Sequence, residues 1–331
     1  MLASLFSNMR ALLPGALMSA IALSCNATAT NAETFPSRSV RVVVAAPPGG
    51  LTDVVARSVS QFLQEKLGQP FIVENIAGAS STIGAMQVAR SAPDGYTLLV
   101  NPSLFVITPM LMKVPYDVVK DFTPISNFGT VPIAIGVNAA LPAKTLSEFI
   151  ALAKANPDKM TWGAEGVGSV GHLTMERLQR EAGFKILIVH YKGTSPALVD
   201  LIAGRVSAMI TPVPNMIEQF RAGTVRPVAV ATKARVSALP DVPTIEEQGF
   251  PNFEIGSWYG LWGPANMPKE VVSVLNDAIA EAMKTPRVTE RLAAQGLVPV
   301  GSRSADFAAF ASAEIGKFGK MIKDADIKIG N

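Results

Sequence analysis

Pro47-Pro48-Gly49-Gly50-Leu51-Thr52-Asp53 sets two glycines, a hydroxyl and a carboxylate directly after a β-branched run. If the chain turns there into a helix, it presents unpaired backbone N–H groups and a positive dipole end, which together hold an anion. Gly49 and Gly50 would let a ligand come close to the backbone beside Pro48. The same residues also suit a plain tight turn with Thr52 or Asp53 as N-cap. Gly78-Ala79-Ser80-Ser81-Thr82 repeats the mixture of small residues and hydroxyls ahead of a second helical stretch, and Ser81 and Thr82 are again natural caps. Asn101 and Ser103 follow a third strand and complete the rim on that side.

A third such segment, Gly166-Val167-Gly168-Ser169-Val170-Gly171, matches the dinucleotide fingerprint GxGxxG. The next strand, however, ends in His190-Tyr191-Lys192 where the fingerprint needs an acidic residue for the ribose. No cofactor is therefore expected, and the segment reads as another anion-tolerant helix N-terminus. The first glycine of the GxSxG nucleophile elbow is missing around Ser169. His172 and His190 have neither metal-ligand spacing nor an evident carboxylate to orient them. We expect no metal and no catalytic set; His172 reads as a hydrogen-bonding group at a helix start and His190 as the end of a strand.

The elements that must position these loops follow from apolar periodicity. Val40 to Ala46 is a strand, and Asp53 to Leu67 puts Val55, Val59, Phe62, Leu63 and Leu67 on one helical face. Phe71 to Val73, Ser81 to Arg90 and Tyr96 to Val100 continue as strand, helix and strand, with Gly68-Gln69-Pro70 and Pro93-Asp94-Gly95 as turns. The order recurs as a strand at 160–163, a helix at 171–182, a strand at 186–190, a helix at 195–203 and a strand at 206–210. Two βαβαβ modules make an α/β protein with two open sheets, which bind ligands beyond the carboxyl ends of their strands. Phe122 to Pro142 reads as a Pro-rich connection whose extended part, Val131 to Val137, crosses between the lobes. Trp258 to Trp262 reads as a second crossing, and the helices at 269–284 and 304–323 are expected to return to the first lobe. This gives lobe 1 as residues 33–134 plus 256–331 and lobe 2 as residues 135–255.

Composition narrows the function. Hydrophobic residues make up 49% and charged residues 17%, the profile of a chain with a full core rather than a disordered one. Arg10 is followed by a 13-residue, largely apolar stretch from Ala11 to Leu23 and then small polar residues. That is the pattern of a secretory signal peptide, too short for the roughly 20 residues of a membrane span. Cleavage after Ala32 removes the single cysteine, Cys25; Ala22-Leu23-Ser24-Cys25 is a poor lipoprotein box, so lipid anchoring is not the expected outcome. Losing Arg10 leaves 28 basic against 26 acidic residues with no basic run, so nucleic acid is not an expected partner.

Taken in order, Val40-Arg41-Val42-Val43-Val44, Pro47 to Asp53, Val73-Glu74-Asn75, Pro93 to Leu98, Tyr191-Lys192-Gly193 and Leu239-Pro240-Asp241-Val242-Pro243-Thr244 resemble the Bug-type (TctC-like) solute receptors of tripartite tricarboxylate transporters. The resemblance spans nearly the whole mature chain. It implies a type II periplasmic-binding-protein fold with a ligand cleft between two lobes, a small carboxylate as ligand, transporter membrane subunits as partners, and neither catalysis nor cofactor. A periplasmic monomer is expected. By the same resemblance the binding loops fall on Pro48 to Asp53, Gly78 to Thr82, Ser169 to His172 and Tyr191 to Ser195, including Lys192, Gly193 and Thr194. Ile76 to Thr82 departs from the family's usual Arg-Pro-Gly-Ala-Gly-Gly-Asn, His190 replaces a proline, and Ser207 and Thr211 stand where acids are frequent. With Lys192 the one cation near these loops and no evident acceptor for an ammonium group, a dicarboxylic or aromatic acid is expected to bind better than an amino acid.

Overall fold

β-Branched and apolar runs bounded by glycine and proline form the strands of both modules. In the first, β1 (Val40–Val44), α1 (Leu51–Leu67), β2 (Phe71–Asn75), α2 (Thr82–Ala89) and β3 (Thr97–Pro102) follow in order. This is a computed structural model, and it describes residues 34–78, 81–191 and 193–324. The expectations placed on the signal peptide, Cys25, Ala79, Ser80 and Lys192 lie outside the described residues. β1 pairs in parallel with both β2 and β3. After α3 (Leu104–Leu111), β4 (Phe122–Val131), β5 (Ile133–Asn138) and α4 (Leu146–Ala155), the second module repeats the plan: β6 (Thr161–Ala164), α5 (Val170–Ala182), β7 (Leu187–His190), α6 (Thr194–Ile202) and β8 (Ala208–Pro212). Here β6 lies in parallel between β7 and β8. The chain ends with α7 (Val213–Arg221), β9 (Val225–Val230), β10 (Ser257–Pro264), α8 (Lys269–Ala282), α9 (Pro286–Ala293), β11 (Val298–Pro299) and α10 (Ser304–Asp324).

The sheets are larger than the modules. Their orders are β11-β4-β10-β3-β1-β2 and β7-β6-β8-β5-β9. In each, an antiparallel strand docks beside the third parallel strand: β10 on β3 and β5 on β8. Three expectations are corrected here, and the first is that Trp258 to Trp262 lies inside β10 of the first sheet, so the second passage between the sheets comes before it. Phe122 to Val131 is a strand between β10 and β11, not a connection, and its Pro124 is accommodated beside a register shift against Leu261 and Trp262. Val131 to Val137 is not one crossing strand: Val131 ends β4 in the first sheet and Ile133 begins β5 in the second, with Pro132 between them. Proline has no N–H to give to either ladder, so the hand-over falls on the residue that loses least by it.

The core lies on both faces of the first sheet. Leu98 and Val100 pack with Val55, Val59 and Leu63 of α1 and Leu275 and Ile279 of α8. Leu99, pointing the other way, joins Phe105, Trp262, Phe307 and Phe318. Burying a side chain of this kind contributes roughly 1.5–3 kcal/mol. The returning α10 is tied down by Trp258 Nε1, which donates to Glu314 Oε2 at 3.1 Å. That interaction ties α10 to β10, the strand of the first sheet that carries Ser257 and Tyr259.

Candidate functional site

Parallel strands point their carboxyl ends one way, and helices that follow them begin at that edge. At the edge of the first sheet, β3 runs into α3 through Pro102 and Ser103, while Tyr259 of β10 pairs with Pro102. At the edge of the second, β6 leads through Glu165 to the start of α5, β7 through Gly193 to α6, and β8 through Thr211 and Pro212 to α7. These two edges enclose a cavity of about 240 Å³. Ser103, Leu104, Ser257 and Tyr259 line it from the first sheet's side, and Glu165, Ser169, Val170, Gly171, Thr194, Thr211 and Asn215 from the second's. As first-turn residues, Leu104, Val170, Gly171 and Thr194 have no carbonyl four residues back in their own helices, so their N–H groups are available to an anion. At α7 the Val213 N–H donates to Pro132 O and Pro214 has none, so that helix contributes the side chain of Asn215 instead.

The polar groups of the cavity are connected. Asn215 Nδ2 donates to Thr211 Oγ1 at 3.0 Å, which leaves the Thr211 proton free to donate to the Glu165 carboxylate. Burial pushes the Glu165 carboxyl above the ordinary glutamate value, and the Thr211 bond offsets part of that rise. Across the cleft, burial pushes the Tyr259 hydroxyl up to about 12; Ser257 works against the shift and the Glu165 charge works with it. Tyr259 is thus a neutral donor throughout the physiological range. Ser169 caps α5 by accepting from His172 N, and His172 Nδ1 in turn accepts from Gly168 N at 2.9 Å.

Of the residues singled out from sequence, Ser103, Ser169, Thr194 and Thr211 line this cavity together. The structure places Pro48, Gly49 and Gly50 in an exposed turn at the same edge of the first sheet, outside the cavity lining. Neither Thr52 nor Asp53 is an N-cap: α1 begins at Leu51 behind Gly50, with no side-chain cap. Asp53 instead sits buried in the first turn, where Oδ2 accepts from Gly49 N at 3.0 Å and Oδ1 from Asn75 Nδ2, with Arg57 beside both oxygens. These bonds tie the loop to α1 through Arg57 and to the end of β2 through Asn75. Gly78 and Ser81 both have positive φ, and Ser81 precedes α2 without capping it. Thr82 and Asn101 are buried, and both amide atoms of Asn101 lack a partner among the described residues. His172 is enclosed as an organiser of the Gly168 turn, and Tyr191 donates to Asp200 Oδ2 at 2.6 Å; neither they nor Gly193 line the cavity.

Residues 55–327 match the sequence profile of the tripartite tricarboxylate transporter family receptor. This chain belongs to that family. BugT of Bordetella pertussis is 36% identical over 312 residues, which cover 93% of this chain and 96% of BugT. Rpa4515 of R. palustris, solved with adipate, is 35% identical with a TM-score of 0.79, covering 89% of this chain and 99% of that one. MatC from Rhodopseudomonas palustris, solved with bound malate, is 33% identical with a TM-score of 0.75 over 87% of this chain and 100% of its own. The two α/β lobes are therefore those of a periplasmic binding protein.

Within this Bug-type TctC receptor, two of the sequence departures separate in space. Ser207 lies at the start of β8, where its Oγ accepts from Thr161 N at 3.1 Å, at the strand end away from the cleft. Thr211, at the other end of the same strand, faces the cavity. Glu165, a carboxylate not singled out from sequence, lines the cavity from the position immediately before the Gly-rich segment. Asn215, Ser257 and Tyr259 were also not singled out from sequence. Asn215 follows from α7 starting directly behind β8, whereas Ser257 and Tyr259 depend on β10 returning from the second sheet to the first, which no local motif encodes.

Proposed function

We propose that the chain is a periplasmic receptor that encloses a small carboxylate between its two lobes and delivers it to the membrane subunits of a tripartite tricarboxylate-type transporter. It acts as a monomer, without catalysis, cofactor or nucleic acid. The observation that carries this reading is the convergence of the first turns of α3, α5 and α6 on one cavity bounded by both sheets. Backbone donors at helix starts hold a carboxylate without a salt bridge, since hydrogen bonds to charged groups contribute about 1.5–3 kcal/mol each. A cavity of about 240 Å³ leaves room for a small organic acid. Relatives solved with adipate and malate support the ligand class.

Native mass spectrometry of the protein purified from periplasm should show one small carboxylate per chain, recovered chemically unchanged. A thermal-shift screen of carboxylates should then single out ligands that stabilise the fold, by roughly 2.7 kcal/mol at a hundredfold excess over Kd. Conversion of the bound acid to a product would point to an exported enzyme on the same scaffold.

A further inference from the structure

We propose that Glu165 makes the cleft selective for carboxylates that also carry an ammonium group, so that the ligand is a zwitterionic amino acid rather than a plain dicarboxylic acid. The inference rests on the receptor reading above and narrows it. Among the described residues lining the cavity, Glu165 is the one charged side chain; no lysine or arginine stands among them. It forms no ion pair with any described residue, unlike Asp53, whose carboxylate is paired with Arg57. Thr211, itself held by Asn215, is the one described side chain that offers it a proton, so the carboxylate has lone pairs left for a ligand. The helix starts at Leu104, Val170 and Thr194 provide for a carboxylate elsewhere in the same cavity.

These two halves require opposite charges. A dicarboxylate satisfies the helix starts but brings its second anion towards the half-buried carboxylate of Glu165. An ammonium group satisfies Glu165 and relieves the desolvation that raises its carboxyl pKa. An amino acid therefore complements both halves at once. Tyr259, neutral and facing Glu165 from the other lobe, donates to the ligand and is indifferent to this charge difference.

Calorimetry of aspartate against succinate, and of glutamate against glutarate, compares ligands that differ chiefly in the ammonium group. We expect each amino acid to bind at least tenfold more tightly than its partner, the scale of one charge-assisted hydrogen bond. Glu165→Gln, which keeps shape and removes charge, should erase or invert that order, and Glu165→Asp should keep its sign; thermal melts confirm that both variants fold. Tighter binding of the dicarboxylates by the wild type, with proton uptake showing Glu165 acting as a donor, would overturn the inference and leave the receptor reading intact. An order unchanged by Glu165→Gln would overturn it too. Failure of every carboxylate in the panel to bind would instead strike the receptor reading itself.

Discussion

Asp53 holds the first loop together, and its charge is what the three donors need. Burial opposes ionisation, but hydrogen bonds from Arg57, Gly49 N and Asn75 outweigh it, so the folded-state pKa lies below the ordinary aspartate value of 3.8. A depressed carboxylate stabilises fully above the unfolded-state value and loses that contribution as pH falls through the folded one. Asp53→Ala should therefore cost about 2 kcal/mol at pH 7, with the gap to wild type in urea denaturation narrowing once pH drops below 3.8. A gap that widens in acid would contradict this assignment. The neighbouring glycines differ in kind. Gly49 has φ +82°, which only glycine adopts without strain, whereas Gly50 is extended and an added Cβ would meet nothing nearer than Pro47 O at 3.9 Å. Gly49→Ala should lose about 1–2 kcal/mol. Gly50→Ala should stay within about 0.5 kcal/mol of wild type, and equal losses would show that the turn is not as described.

Elements with clean periodicity were legible in the sequence, α6 among them despite Pro196, and several short ones that carry a proline were not. β1, α1, β2, α2 and β3 fall where alternating or 3.6-residue apolar patterns put them, within a residue or two at their ends. α3 contains Pro109, α7 carries Pro214 in its first turn and α9 starts at Pro286, so none of them offers an uninterrupted pattern. β4 is hidden by Pro124 in the same way. α4 had a readable signal that went unused: Thr145 accepts from Glu148 N, and the Glu148 side chain reaches back to Lys144 N. Thr145→Ala should cost about 1 kcal/mol in chemical denaturation, and no loss would show that the cap is dispensable. The site divides along the same line. Ser103, Ser169, Thr194 and Thr211 follow from standing between a strand and a helix, whereas Glu165 lies one residue before the Gly-rich stretch that drew attention. Asn215 stands in the first turn of α7 directly behind β8, and only Ser257 and Tyr259 reach the cavity through long-range strand order.

At the scale of the molecule, the chain passes between the sheets at Pro132 and again between β9 and β10. Two crossings between lobes that share one cavity form a hinge, and ligand contacts on both sides favour closure. Small-angle scattering should show a more compact particle when the receptor is saturated, and identical profiles with and without ligand would count against closure. In the proposed receptor the carboxylate sits where the first turns of α3, α5 and α6 meet. A crystal structure of the protein with its co-purified acid would locate it. Carboxylate density is expected within hydrogen-bonding distance of the first-turn N–H groups of those helices, with Tyr259 and Glu165 closing the other side. An acid bound outside the cavity, or held by one lobe alone, would contradict it.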